Sequence, residues 1–294
     1  TSSPRPSTRR RPRPAAPGPA EGGGVSEKGR PRRSVGLVLG SGGARGLAHI
    51  GVIEVLLELG YKIDYISGCS MGALVGGAYA AGELDVYKDW AVELERKDIV
   101  GLLDFSFGWQ GLFKGDKVIG VLRDMIGAQN IEDLPIGYTA VATDLYDQRE
   151  VWLNRGPLFD AIRASLAIPS LLTPWEHQGR VLVDGGLINP IPIAPALNHQ
   201  TDIIVAVNLN GARARPRAGL ARRDTGPTAM FDVMSTSFET MQATIARLKL
   251  AAYSPDVVVN VPRDACLFYE FERARELIEI GRSCAREALL PARD

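Results

Sequence analysis

The chain has 294 residues, 34 basic and 34 acidic side chains, a formal net charge of zero, and 45% hydrophobic residues. This composition is that of an ordinary globular protein, long enough for one large domain or two small ones, and no nucleic-acid partner is expected of it as a whole. No run of 18 apolar residues occurs, and Cys69, Cys266 and Cys284 have neither metal-ligand spacing nor the pattern of a disulfide framework.

The neutral total conceals an asymmetry. Residues 1–33 carry nine Arg/Lys against Glu21 and Glu27, which leaves 25 basic and 32 acidic residues for 34–294. This arm is rich in Pro, Arg, Ser and Gly and too poor in apolar surface to offset chain entropy, so it is expected to be disordered. A basic arm could touch anionic lipid, as in peripheral contact with an anionic membrane, or nucleic acid; a linker or leftover upstream segment is the other reading. The arm lacks the apolar segment of a secretory signal. The expected location is therefore cytoplasmic, with peripheral membrane contact. Residues 34–290 read as one compact domain.

Residues 35–39 are an apolar run read as a buried parallel strand. A helix over about 46–59 follows, with Ile50, Ile53 and Leu57 as its inner stripe, Glu54 and Glu58 outward, and Gly60 as its stop. Residues 63–67 form a second strand, 73–81 a small-residue helix, and 84–97 a further helix. Residues 101–117 read as irregular; the aromatics of 105–113 suit either the lip of an acyl-binding site or core packing. Strands are expected at 138–143, 150–153, 181–183, 203–208 and 257–261. Helices are expected at 158–166, 231–251 and 268–289, with a basic loop over 211–227. This alternation predicts an α/β protein, a three-layer α/β/α sandwich with a mainly parallel central sheet.

Two strand–turn–helix units carry chemistry. Gly68-Cys69-Ser70-Met71-Gly72 matches G-x-S-x-G, the elbow that lifts a serine hydroxyl above a sheet edge at a helix N-terminus. The earlier turn, Gly40-Ser41-Gly42-Gly43-Ala44-Arg45-Gly46, offers small-residue N–H groups near Gly42, Gly43 and Ala44 for an oxyanion. Its rival reading, dinucleotide binding, fails because Arg45 stands where the third glycine belongs and no acidic residue ends the second strand. A serine nucleophile needs a base. His49 reads as a core histidine, His199 as a helix C-terminal residue, and His177 as part of a hairpin turn. Asp184, closing a strand before Gly185 and Gly186, stands where open α/β sheets place their sites, or serves its own turn.

These blocks in this order resemble patatin-like phospholipases, and most nearly the bacterial members related to neuropathy target esterase. The glycine-rich block matches at 41–46, the serine block at 68–72, the D-G-[GA] block at 184–186, and the segment 163–169 resembles the stretch before the family's aspartate. Ser41 replaces the first glycine of its block, and little effect is expected. The resemblance implies a patatin-like fold and a serine lipid acyl hydrolase of the phospholipase, lysophospholipase or esterase kind. It implies Ser70 as nucleophile and Asp184 as general base, working through an acyl-enzyme. The oxyanion hole would be Gly42, Gly43, Ala44 and Arg45, with Gly46, Gly68, Gly72, Gly185 and Gly186 supporting the turns. Arg45 would steady the loop, bind a phosphate head group, or form a structural ion pair. A lipid or acyl ester is the expected substrate, with no cofactor and no metal. An acyltransferase, or a patatin-fold interaction protein of weak activity, would carry the same blocks.

Overall fold

A computed structural model describes residues 33–102, 116–169, 171–214 and 227–290. The basic arm up to residue 32, the aromatic stretch 105–113 and most of the basic loop 211–227 lie outside the described residues. In chain order the elements are β1 (Ser34–Leu39), a 3₁₀ turn (Gly43–Leu47), α1 (Ala48–Glu58), β2 (Lys62–Cys69), α2 (Met71–Ala81), α3 (Leu84–Glu93), α4 (Arg96–Leu102) and α5 (Asp116–Ile126). Then come β3 (Gly137–Asp144), β4 (Arg149–Leu153), α6 (Leu158–Ser165), β5 (Trp175–His177), β6 (Arg180–Asp184) and α7 (Ile193–Leu197). The described chain ends with β7 (Ile203–Gly211), α8 (Pro227–Tyr253), β8 (Val257–Pro262) and α9 (Ala274–Leu289).

The eight strands form one mixed sheet in the order β5-β6-β3-β2-β1-β7-β8, with β4 also paired to β3. Strands β3, β2, β1, β7 and β8 run parallel; β4 and β6 lie antiparallel to β3 on its two edges, and β5 is antiparallel to β6. The expectation of a mainly parallel sheet thus holds for its centre. The β3–β4 and β5–β6 pairs are hairpins, which need no crossover helix, and α6 lies between them in the chain.

Side chains alternate across the central strands as the two-residue period requires. Val35, Leu37 and Leu39 of β1, with Val205 and Val207 of β7, enter the core shared with α1, α2, α6 and α9. Val38, Ile204 and Ala206 face the other way, against α7 and α8. Helices therefore cover both faces. No described helix is long and apolar enough to cross a membrane.

Several boundaries differ from the sequence reading for physical reasons. Helix α1 is buried on nearly every side, because α9 lies across its outer surface; Leu57, assigned to the inner stripe, is 45% exposed, while Val52, Val55 and Leu56 are buried. The two helices approach so closely that a Cβ on Gly51 would strike the Ile278 carbonyl, and one on Gly281 the Ala48 carbonyl. Glu54, placed on the outer side, instead pairs with Lys88 and Arg282 at 2.6 and 2.7 Å. The helix expected at 84–97 is split, since Leu94 adopts extended backbone between α3 and α4. Helix α5 begins within the stretch read as irregular.

Candidate active site

The strand register places the principal residues. β2 pairs with one edge of β3 as far as Cys69↔Val141, and β6 takes over that same edge from Ala142↔Asp184, while β4 holds the other edge. The end of β2 and the end of β6 therefore meet beside β3 at consecutive register positions, which brings Ser70 and Asp184 together, with the Cys69 thiol 3.8 Å from Asp184 Oδ1. Ser70 sits at φ 56°, ψ −124°, a conformation costly for any non-glycine residue, between the end of β2 and the first turn of α2. Both residues are buried, and both Ser70 Oγ and Asp184 Oδ2 lack a partner at hydrogen-bond geometry. The other carboxylate oxygen, Oδ1, accepts the Gly186 N–H at 2.6 Å and the Cys69 thiol at 3.8 Å.

Burial pushes the Asp184 carboxyl up from its ordinary 3.8 to about 6, against the downward pull of the Ser70 hydroxyl, the Gly186 N–H and the Cys69 thiol. The hydroxyl is thus near enough to act on the carboxylate while the contact is looser than a full hydrogen bond, as is common before substrate tightens a site.

The glycine-rich turn packs directly on the elbow. A Cβ on Gly46 would overlap Met71, and one on Gly72 would overlap the Leu39 carbonyl. Gly68 is closed off by Gly72 and Ala73. The D-G-G turn is as crowded: Gly185 lies on the Val141 carbonyl and Gly186 on Gln242 and Ser41. Gly43, at φ +56°, supplies the left-handed residue that starts the 3₁₀ turn.

Of the four residues offered as oxyanion donors, Ala44 is withdrawn, because its N–H donates to the Phe268 carbonyl at 2.8 Å. The N–H groups of Gly42, Gly43 and Arg45 bond no acceptor beyond their own turn among the described residues. The Arg45 side chain resolves three readings into one. Its guanidinium is 1% exposed and donates to the Gly42 carbonyl at 3.2 Å, the Arg263 carbonyl at 2.6 Å and Glu239 Oε1 at 2.8 Å. It is an internal brace of the loop, with no face turned to a head group. Ser41, the departure from the family pattern, accepts the Gln242 amide at 3.2 Å and so ties the loop to α8.

None of the three histidines reaches Ser70. His49 is buried with Nε2 2.8 Å from the Gly40 carbonyl, which can only accept, so Nε2 carries the proton; burial holds the ring down to about 4 and keeps it neutral. His199 does not act as a helix-end cation: its ring stacks on Tyr65 at 3.6 Å and its pKa is lowered by burial. His177 ends β5 at the turn of its hairpin, paired with Arg180, four residues along β6 from Asp184 and so roughly 13 Å along the strand from the site.

A cavity of about 160 Å³ opens beside Gly43 and Met71 and runs between α2, α3 and α5. Its walls are apolar, including Leu74, Trp90, Ala91 and Leu122, and Phe268 closes the side next to the glycine loop. Sequence reasoning missed Ser165, Glu239 and Gln242, which touch the site from α6 and α8. It also missed the Glu150 carboxylate, which joins Lys249 of α8 to Asn189 just beyond the D-G-G turn. Only the stretch 163–169 carried a signal for any of them.

Fold and site together place the chain among α/β proteins that present a serine on a strand–turn–helix elbow. It belongs to the patatin-like phospholipase family, whose model matches residues 37–197. An uncharacterized NTE family protein of Mycobacterium tuberculosis is 38% identical over 327 residues, covering 87% of this chain and 91% of its own. Neuropathy target esterase sws of Drosophila melanogaster is 31% identical over 183 residues, covering 60% of this chain and 13% of its own. Among solved structures, VipD from Legionella pneumophila is similar at TM-score 0.42 and 14% identity, over 87% of this chain and 67% of that one.

Proposed function

We propose that the protein is a serine lipid acyl hydrolase in which Ser70 is the nucleophile and Asp184 the general base. The observation that carries this reading is the pair of buried, otherwise unpartnered oxygens, Ser70 Oγ and Asp184 Oδ2, with an apolar cavity walled by the next residue, Met71, and by Gly43. A carboxylate at its ordinary pKa is a weak base for an alcohol; at about 6 Asp184 remains largely ionised at pH 7 yet binds a proton more firmly. Ser70 Oγ attacks the ester carbonyl carbon as its proton passes to Asp184 Oδ2. The oxyanion that forms is met by the free N–H groups of the glycine turn, where each donor is worth ~10²–10³ in kcat. Collapse expels the alcohol, which takes the proton from Asp184, and leaves the acyl group on Ser70. Water then gives its proton to Asp184 and attacks the acyl-enzyme, and the proton returns to Ser70 as the fatty acid leaves.

The cavity gives this chemistry an acyl-chain site. Burying each methylene is worth ~0.8 kcal/mol, or about fourfold in kcat/KM. Turnover of p-nitrophenyl esters should therefore climb with acyl length until the cavity is filled. Ala91→Phe, which intrudes on that space, should shorten the preferred chain while sparing acetate. Rates indifferent to chain length in both proteins would remove the lipid reading.

A further inference from the structure

We propose that Ser165 is a positioning residue that sets the backbone of Ser70, and that residues 165–167 form one clamp on both members of the Ser70–Asp184 pair. The inference rests on the reading of that pair given above. Ser165 is the last residue of α6 and is fully buried. Its Oγ accepts the N–H of Ser70 at 2.8 Å and donates to the Val141 carbonyl of β3 at 2.6 Å. Two residues further on, the Ala167 carbonyl accepts the N–H of Asp184 at 2.8 Å. The elbow and the strand-end aspartate, 114 positions apart in sequence, are thus held by one short segment.

The chemistry of this link is one-directional. A carbonyl cannot donate, so the single Ser165 proton points to Val141, and the lone pairs that remain face the Ser70 N–H. The hydroxyl is wedged between the end of β2 and the continuing β3, where an unbroken ladder would join the two strands directly. Holding the Ser70 N–H away from β3 lets the chain turn into the positive-φ conformation of the elbow. Leu166 and Ile168, interleaved with the clamp, are wall residues of the apolar cavity. An acyl chain in that cavity therefore bears on the segment that aligns the reacting groups.

The role separates from simple core packing by kinetics. Ser165→Ala and Ser165→Cys, which lose a good acceptor, should lower kcat for p-nitrophenyl butyrate by about ten- to a hundredfold with KM nearly unchanged, the scale of a misplacement near 1 Å. Ser165→Thr, which keeps the hydroxyl, should retain most of the wild-type kcat. The rate of covalent labelling of Ser70 by a fluorophosphonate should fall in step with kcat, measured per folded molecule after thermal unfolding has fixed the folded fraction. If Ser165→Ala and Ser165→Cys label at the wild-type rate once folded protein is counted, the clamp is structural only and the proposal is overturned. If the wild type takes no label and Ser70→Ala is no different, the nucleophile reading itself falls, and the two failures are told apart.

Discussion

Ser70→Ala is expected to abolish ester turnover, and Asp184→Asn to lower kcat by on the order of 10⁴-fold, within the range seen when members of hydrolase triads are removed. The two losses should not multiply in the double variant, because neither residue completes the proton transfer without the other. The pH profile supplies a second signature. The base must be ionised, so kcat/KM should fall on the acid side with a midpoint near the Asp184 value of about 6. A side-by-side assay of wild type and both variants decides the matter. An active Asp184→Asn beside a dead Ser70→Ala would place the base elsewhere, and since the histidines are all accounted for, the proton would need a water-mediated route.

Asp184→Asn is also expected to make the protein more stable at alkaline pH. Folding lifts this carboxyl from 3.8 to about 6, chiefly through burial, so the folded state binds the proton more tightly than the unfolded chain. Its favourable contribution is fully present below the unfolded value and is lost as pH rises through about 6. At pH 8 the ionised group costs about 3 kcal/mol relative to a neutral one, at ~1.4 kcal/mol for each pH unit between the two values. An asparagine keeps an acceptor for the Gly186 N–H and carries no charge. The variant should melt higher than wild type by roughly 5 °C or more at pH 8, with the gap closing by pH 4. Thermal unfolding at both pH values tests this; a variant that melts lower at pH 8 would mean that the carboxylate is better solvated or paired than its surroundings indicate. A variant that melts higher at pH 8 would mean that the group proposed to do the chemistry is one the fold holds at a cost, as expected where function overrides stability.

What the sequence made legible is what local chemistry encodes. The turns at 40–46, 68–72 and 184–186 could be read because glycine spacing and flanking apolar runs define a turn wherever it occurs. Ile50 and Ile53 followed from helical period, but Leu57 did not, since whether that face is buried depends on α9, more than 200 residues away. The sequence of α5 has apolar residues at Val118, Ile119, Leu122 and Ile126, a helical spacing that was present and passed over beside the aromatic stretch. The antiparallel side was hidden for another reason: β5 has three residues, too few for a period to show. Glu239 and Gln242 are ordinary polar residues in a helix and nothing local marks them, while Ser165 lies in the recognisable stretch 163–169 without a sign of its partner. Their roles exist only through partners 95, 194 and 201 positions distant.

The bracing of Arg45 has a consequence for when the protein becomes competent during synthesis. The loop at 42–45 takes its shape from Glu239, from the Arg263 carbonyl and, through Ala44, from the Phe268 carbonyl. A ribosome adding ~5–20 residues per second needs roughly 10–45 s to travel from the loop to those partners. Throughout that interval Ser70 has been made but its neighbouring loop lacks the partners that brace Arg45 and Ala44. A nascent chain should thus be inert toward acyl esters until residue 268 has emerged and folded back onto the loop. Stalled chains ending after residue 235 and after residue 290, each with a tether long enough to clear the exit tunnel, should differ in phosphonate labelling, the shorter taking none.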